Sequence, residues 1–185
     1  MKQKSIILLI MLLIIQAVAT SCGAAGARVA LEQGIGAVCR GENEKAAAYF
    51  GEAYSAKVAE REFDDEQAAV YRALAGEIKV SYTGEDELDG GICYIPVEIA
   101  RVDLDGLSSY VSRDVSVFGV SAIERIEELI DDGTVRENFI ITEKCKLKAE
   151  LSDGKWVINV SQAENAPLYE AFGLSGFARW LENQG

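Results

Sequence analysis

The 185-residue chain carries 18 basic against 30 acidic side chains, no histidine and four cysteines. A formal net charge of −12 leaves no basic patch for nucleic acid or for an anionic lipid surface. Without histidine the commonest zinc ligand and the commonest general base are both missing, so neither a metal nor a cofactor is expected.

The chain opens with Lys2 and Lys4, an unbroken apolar run from Ile6 to Ile15, and the small-residue segment Ala17-Val18-Ala19-Thr20-Ser21 leading to Cys22. This is the layout of a secretory signal. A membrane span needs roughly 20 apolar residues, and Gln16 interrupts the run well short of that. A cysteine directly after the small residues resembles the lipobox of bacterial lipoproteins. Ala19 stands where that pattern usually has leucine, and ordinary cleavage after Ser21 is the alternative. On the lipobox reading, residues 1–21 are a lipoprotein signal peptide, 22–27 a tether lipidated at Cys22, and 28–185 a single domain. Losing Lys2 and Lys4 with the signal lowers the net charge from −12 to −14. The protein is then exported and lipid-anchored to the outer face of the cell membrane or envelope, with the lipid as its membrane contact.

Three helices are expected next. Val29, Ala30, Leu31, Ile35, Ala37 and Val38 predict a helix over 27–40, weakened by Gly34 and Gly36. Gly34-x-Gly36 with Gly41 lacks the spacing and the preceding strand of a dinucleotide loop. Asn43 serves as N-cap of a second helix reaching about Lys57, with Tyr49, Phe50, Ala53 and Tyr54 on one face. Asp64-x-x-Gln67 is a capping box that opens a third helix, stopped by Gly76.

From Glu77 the period becomes alternating. Ile78, Val80 and Tyr82 mark a half-buried strand, and 83–91 is a polar connection. A strong strand over 92–102 places Cys93, Ile95, Val97 and Ile99 on one face. Tyr94, Pro96, Glu98 and Ala100 take the other, with Pro96 arguing for an edge or a bulge. Asp103-Leu104-Asp105-Gly106 fails as a calcium loop at both ends, and Asp105 is expected to cap a helix over 106–113. Ser121-x-x-Glu124 predicts another capping box. Asp153-Gly154 predicts a type I′ hairpin between 138–152 and 155–161, pairing Leu151 with Trp156, Ala149 with Ile158 and Leu147 with Val160. After Asn165, Gly173 and Gly176 split a helical tail. Cys39, Cys93 and Cys145 are an odd set without C-x-x-C. A Cys93–Cys145 disulfide fits only if their two strands are neighbours.

Several segments in this order resemble bacterial lipoproteins without an assigned activity that carry a cystatin-like, nuclear-transport-factor-2-like domain. They are Cys22, Gly41 to Phe50, Val97-Glu98-Ile99 running into Asp103-Leu104, Gly154-Lys155-Trp156-Val157-Ile158, and the tail after Asn165. The resemblance implies an α+β fold: N-terminal helices packed on a curved antiparallel sheet with a conical cavity. Three functions follow as expectations. The first is a non-enzymatic envelope lipoprotein, a scaffold that binds an unknown protein partner or self-associates. The second is a module holding a small apolar ligand in the cone, lined by Tyr49, Tyr54, Tyr94, Ile95, Val97, Ile99, Trp156 and Ile158. The same side chains simply filling the core is the competing view. The third is an isomerase or dehydratase, which needs a buried carboxylate. Glu98 falls on the outer face and Asp103 at the rim, beside Arg101, where an ion pair accounts for it.

Overall fold

The computed structural model describes residues 23–59, 63–173 and 176–183. The signal peptide 1–21 and the lipid-attachment residue Cys22 lie outside the described residues. The fold is α+β, as expected, with helices packed on a five-stranded antiparallel sheet that does not close.

Helix α1 spans Ala24–Cys39. It begins inside the stretch read as a tether, because Ala24 and Ala25 favour helix and Ala27 is buried in the core. Helix α2, Asn43–Phe50, is capped at Glu42 rather than Asn43 and breaks at Gly51, whose φ of 83° suits glycine. A short α3, Glu52–Ala59, resumes after it. The break has a use. Tyr49 C=O accepts from the N–H of Ile158 at 2.7 Å, and Phe50 C=O from that of Val160 at 3.2 Å. Helix α4, Asp65–Ala75, opens on the expected capping box, with both Asp64–Gln67 bonds formed.

The sheet order is β1-β3-β4-β5, from Lys79–Tyr82, Ile92–Val102, Ile140–Ser152 and Lys155–Val157. A short β2, Glu87–Asp89, lies beside β3 beyond the end of β1. Strand β3 is therefore central rather than an edge. Pro96 stands where β1 ends: its C=O accepts from the N–H of Thr83 at 3.0 Å, and the one bond its missing N–H forfeits is the return bond of that last pair, before β2 begins. Strands β3 and β4 pair along their whole shared length. Asp153 (φ 49°) and Gly154 (φ 76°) form the expected turn, and Leu151 faces Trp156. The ladder then stops: the Asn165 side chain takes the next place beside β4, at Lys148, while the N–H groups of Ile158 and Val160, which face away from β4, bond to the end of α2. Ile158 and Val160 still bury on the expected side.

Between β3 and β4 lie α5 (Leu104–Phe118), α6 (Ala122–Asp131) and α7 (Thr134–Asn138). Asp103, not Asp105, caps α5, accepting from the N–H of Gly106 at 3.1 Å. Ser121 makes no side-chain cap bond, so the expected box at α6 is not formed. A 3-10 turn (Ala163–Asn165) leads into α8 (Ala166–Ala171), and α9 (Phe177–Glu182) follows the break at Gly173. Two cores result. One joins α1, α2, α8 and the inner sheet face. The other joins α4 to α7 and α9.

The two glycines of α1 differ. A Cβ at Gly34 would lie 2.5 Å from Cζ of Phe50 and 3.0 Å from Cβ of Tyr49, inside the α1–α2 contact. At Gly36 it would meet only the flexible end of Arg40. Gly36→Ala is expected to stabilise by up to about 1 kcal/mol through helix propensity. Gly34→Ala gains the same propensity against about 1–3 kcal/mol of overpacking and is expected to destabilise on balance. Urea unfolding of both variants checks the opposite signs.

Candidate functional site

The cone expected from the sequence is solid. Ile95, Val97, Ile99, Ile158 and Tyr54 are fully buried in the larger core. Tyr94 is half-buried on the opposite face of β3 from Ile95. Six of the eight expected lining residues therefore line no cone, because apolar side chains from α1, α2 and α8 pack against that face of the sheet.

An open groove of about 660 Å³ lies elsewhere, between the N-terminal half of α1, the end of α2 and the tip of the hairpin. Ala25, Gly26, Val29, Ala30 and Gln33 of α1 form one helical stripe along it. Ala48 and Tyr49 close a second side, and Gly154, Lys155 and Trp156 form the third. Tyr49 and Trp156 are the two expected residues that the structure brings together here. The type I′ turn sets Trp156 under α1, nearly buried, while Lys155 projects outward. Val29 is 48% exposed in the groove. Tyr49 donates its hydroxyl proton to Oε1 of Gln33 at 2.6 Å, which ties α2 to α1 along one wall. Lys155 makes no ion pair among the described residues. Sequence reasoning missed α1's share because Ala25 and Gly26 read as tether. Their alanine-glycine composition is what lets the wall stand open.

The carboxylates singled out earlier do other work. Asp103 caps α5. Glu98 sits opposite Lys144 on the outer sheet face, 3.8 Å from its ammonium. Arg101, Asp103, Asp105 and Glu170 line a cleft of about 230 Å³, below the usual range of ligand sites. No cluster of three or more metal-ligating side chains occurs among the described residues.

Cys93 and Cys145 do lie on neighbouring strands, but the register separates them. Cys93 faces Ala149 and Cys145 faces Val97, an offset of four residues or about 13 Å. No disulfide can span that distance, and the thiols of Cys39, Cys93 and Cys145 are free. The Cys39 thiol donates to the C=O of Ala75. Burial pushes all three thiols up, Cys145 to about 11. A raised thiol stays protonated to higher pH, so its reactive thiolate is scarce near neutrality. Iodoacetamide at pH 8 is expected to label Cys145 at least tenfold more slowly in the folded protein than in urea. A peptide map under non-reducing conditions should show no Cys93–Cys145 link.

At the turn between α5 and α6, Val117 (66%), Phe118 (72%) and Val120 stand exposed around Gly119. Arg125 braces that turn through Asp114 at 3.0 Å and Glu128 at 2.8 Å.

No family model matches the chain, and no curated protein matches it. Among solved structures it is similar to the "putative lipoprotein (ycdA)" of Bacillus subtilis subsp. subtilis str. 168, at 13% identity and a TM-score of 0.37. The match covers 59% of this chain and 38% of that one. A likeness at that level fixes neither fold nor function. No helix among the described residues is long and apolar enough to cross a membrane.

Proposed function

We propose that the protein is an exported lipoprotein held at the outer face of the cell membrane through Cys22, and that its domain is a non-catalytic module binding a small apolar or amphipathic ligand. The observation that carries this reading is the groove. Its 660 Å³ falls within the range of small-molecule sites, and its walls are mostly apolar. Its position supports the tether as well. Helix α1 starts at Ala24, so Ala25 in the groove wall lies within about 11 Å of Cys22 along the chain. A lipid on Cys22 would hold the groove at the membrane surface. Kinship with cystatin-like lipoproteins belongs to this proposal too, and rests on the order of the sequence motifs.

Two measurements test it. Radiolabelled palmitate should enter the wild-type protein in cells and be lost in Cys22→Ala; label that persists contradicts the anchor. The mature chain from residue 22, carrying Cys22→Ser, contains every residue of both cores. It should bind the apolar probe N-phenyl-1-naphthylamine with energy transfer from Trp156, and Val29→Asp should weaken that binding at least tenfold. Binding unaffected by Val29→Asp contradicts the groove.

A second reading, docking to a protein partner, is favoured by the exposed Val117, Phe118 and Val120. Phe118→Ser should then abolish cross-linking to that partner in cells, and an unchanged cross-link pattern would exclude this tip.

A further inference from the structure

We infer that the groove's ligand is a free single-chain amphiphile with an anionic head, a fatty acid or a lysophospholipid, seated with its chain against α1 and its head on Lys155. This rests on the reading of the groove as a binding site and adds the ligand's class.

Three observations carry it. First, of the ten lining residues only Lys155, at the groove's mouth, carries a formal charge, and none is a carboxylate. In a chain with 30 acidic residues against 18 basic, the one charged group at this groove is a cation. An anionic head finds a partner there and a cationic head meets repulsion. Second, Lys155 has no other ion pair to give up among the described residues. Lys144, Lys146 and Lys148 on the preceding strand are each engaged, with Glu98, Glu87 and Glu150. Third, the volume suits one chain. A methylene is close in size to a water, whose share of liquid volume is roughly 30 Å³. The 660 Å³ groove then has room for one chain of a dozen or more carbons with its head. The stripe of Ala25, Gly26, Val29 and Ala30 offers an extended chain an apolar track without polar interruption.

Trp156 provides the readout. In the Cys22→Ser mature chain with Trp180→Phe, it is the one remaining tryptophan. Its emission is titrated with dodecanoate, dodecanol and dodecyltrimethylammonium, all below their aggregation concentrations. Dodecanoate should bind at least tenfold more tightly than dodecanol, and the cationic amphiphile most weakly. Affinity for the carboxylates should rise about threefold to fourfold per added methylene. Lys155→Met should erase the preference of dodecanoate over dodecanol, and Lys155→Glu should invert the order of the two ionic probes. Lys155 is exposed at the hairpin tip, so both variants are expected to fold, which circular dichroism checks. If dodecanol and dodecanoate bind equally and neither substitution matters, the anionic-head assignment is wrong while the groove stands. If no probe changes Trp156 emission, the groove reading fails as well. If the unlipidated chain binds dodecanoate and the lipidated protein from membranes does not, the protein's own acyl chain is the occupant, which overturns the free ligand.

Discussion

Asn165→Ala is expected to destabilise the domain by about 3 kcal/mol in denaturant unfolding. Asn165 is fully buried. Its side-chain amide takes the place of a strand beside β4. Oδ1 accepts from the N–H of Lys148 at 2.8 Å, and Nδ2 donates to the C=O of Lys148 at 2.9 Å and to the C=O of Asn159 at 2.9 Å. The exchange with Lys148 copies a hydrogen-bonded antiparallel pair. It is needed where it stands because the hairpin ladder has already ended at Val157. Alanine leaves three backbone groups unpaired out of reach of bulk water, at about 1–3 kcal/mol each before relaxation. Asn165→Asp should cost at least as much, since a carboxylate oxygen would then face two carbonyl oxygens. A loss below about 1 kcal/mol would mean that Lys148 finds another partner and that Asn165 does not close this edge.

Phe50→Ala is expected to cost about 4 kcal/mol, in the range for emptying a buried aromatic site. Phe50 is fully buried, with ring centroids 4.8 Å from Phe172 and 5.8 Å from Tyr54. It joins the helices to the tail and rests on the open space at Gly34. The cavity cannot collapse easily, because Cβ of Tyr49 on α2 already lies 3.0 Å from where a Cβ at Gly34 of α1 would stand. The Gly34 contact gives a sharper test. Phe50→Leu removes the ring atoms that a Cβ at Gly34 would strike, so Gly34→Ala should be less harmful in the Phe50→Leu background than in the wild type. Coupling of at least 0.5 kcal/mol in a double-mutant cycle is expected. Strict additivity would contradict the packing described.

The alternating strands were the most legible part of the chain. A period of two over Ile92 to Ala100 and the Asp153-Gly154 turn each place every side chain on one face or the other, and burial follows that pattern in both, through Val160 in the hairpin. The box at Asp64 and Gln67 was legible for the same local reason. What failed depended on distant partners. Asp103 rather than Asp105 caps α5 because β3 delivers the chain at that point, with the Asp103 N–H already bonded to the C=O of Phe139. The hairpin ladder stops at Val157 because the Asn165 amide, from beyond the strand, takes the backbone groups of Lys148 that Asn159 would otherwise meet. The cysteine offset follows from a register that neither strand states alone. The groove was half legible. Tyr49 and Trp156 were named, but as lining of a cone that Phe50, Leu31 and Phe172 help to fill.

The central claim is that the concave sheet face is closed core and that recognition occurs in the α1–α2–hairpin groove. An amide chemical-shift titration of the ¹⁵N-labelled, unlipidated mature chain with dodecanoate tests it most directly. The account predicts saturable shifts confined to Ala25–Gln33, Ala48–Tyr49 and Gly154–Trp156, with Ile95, Val97 and Ile99 unmoved. Shifts centred on β3, or none anywhere, would contradict it.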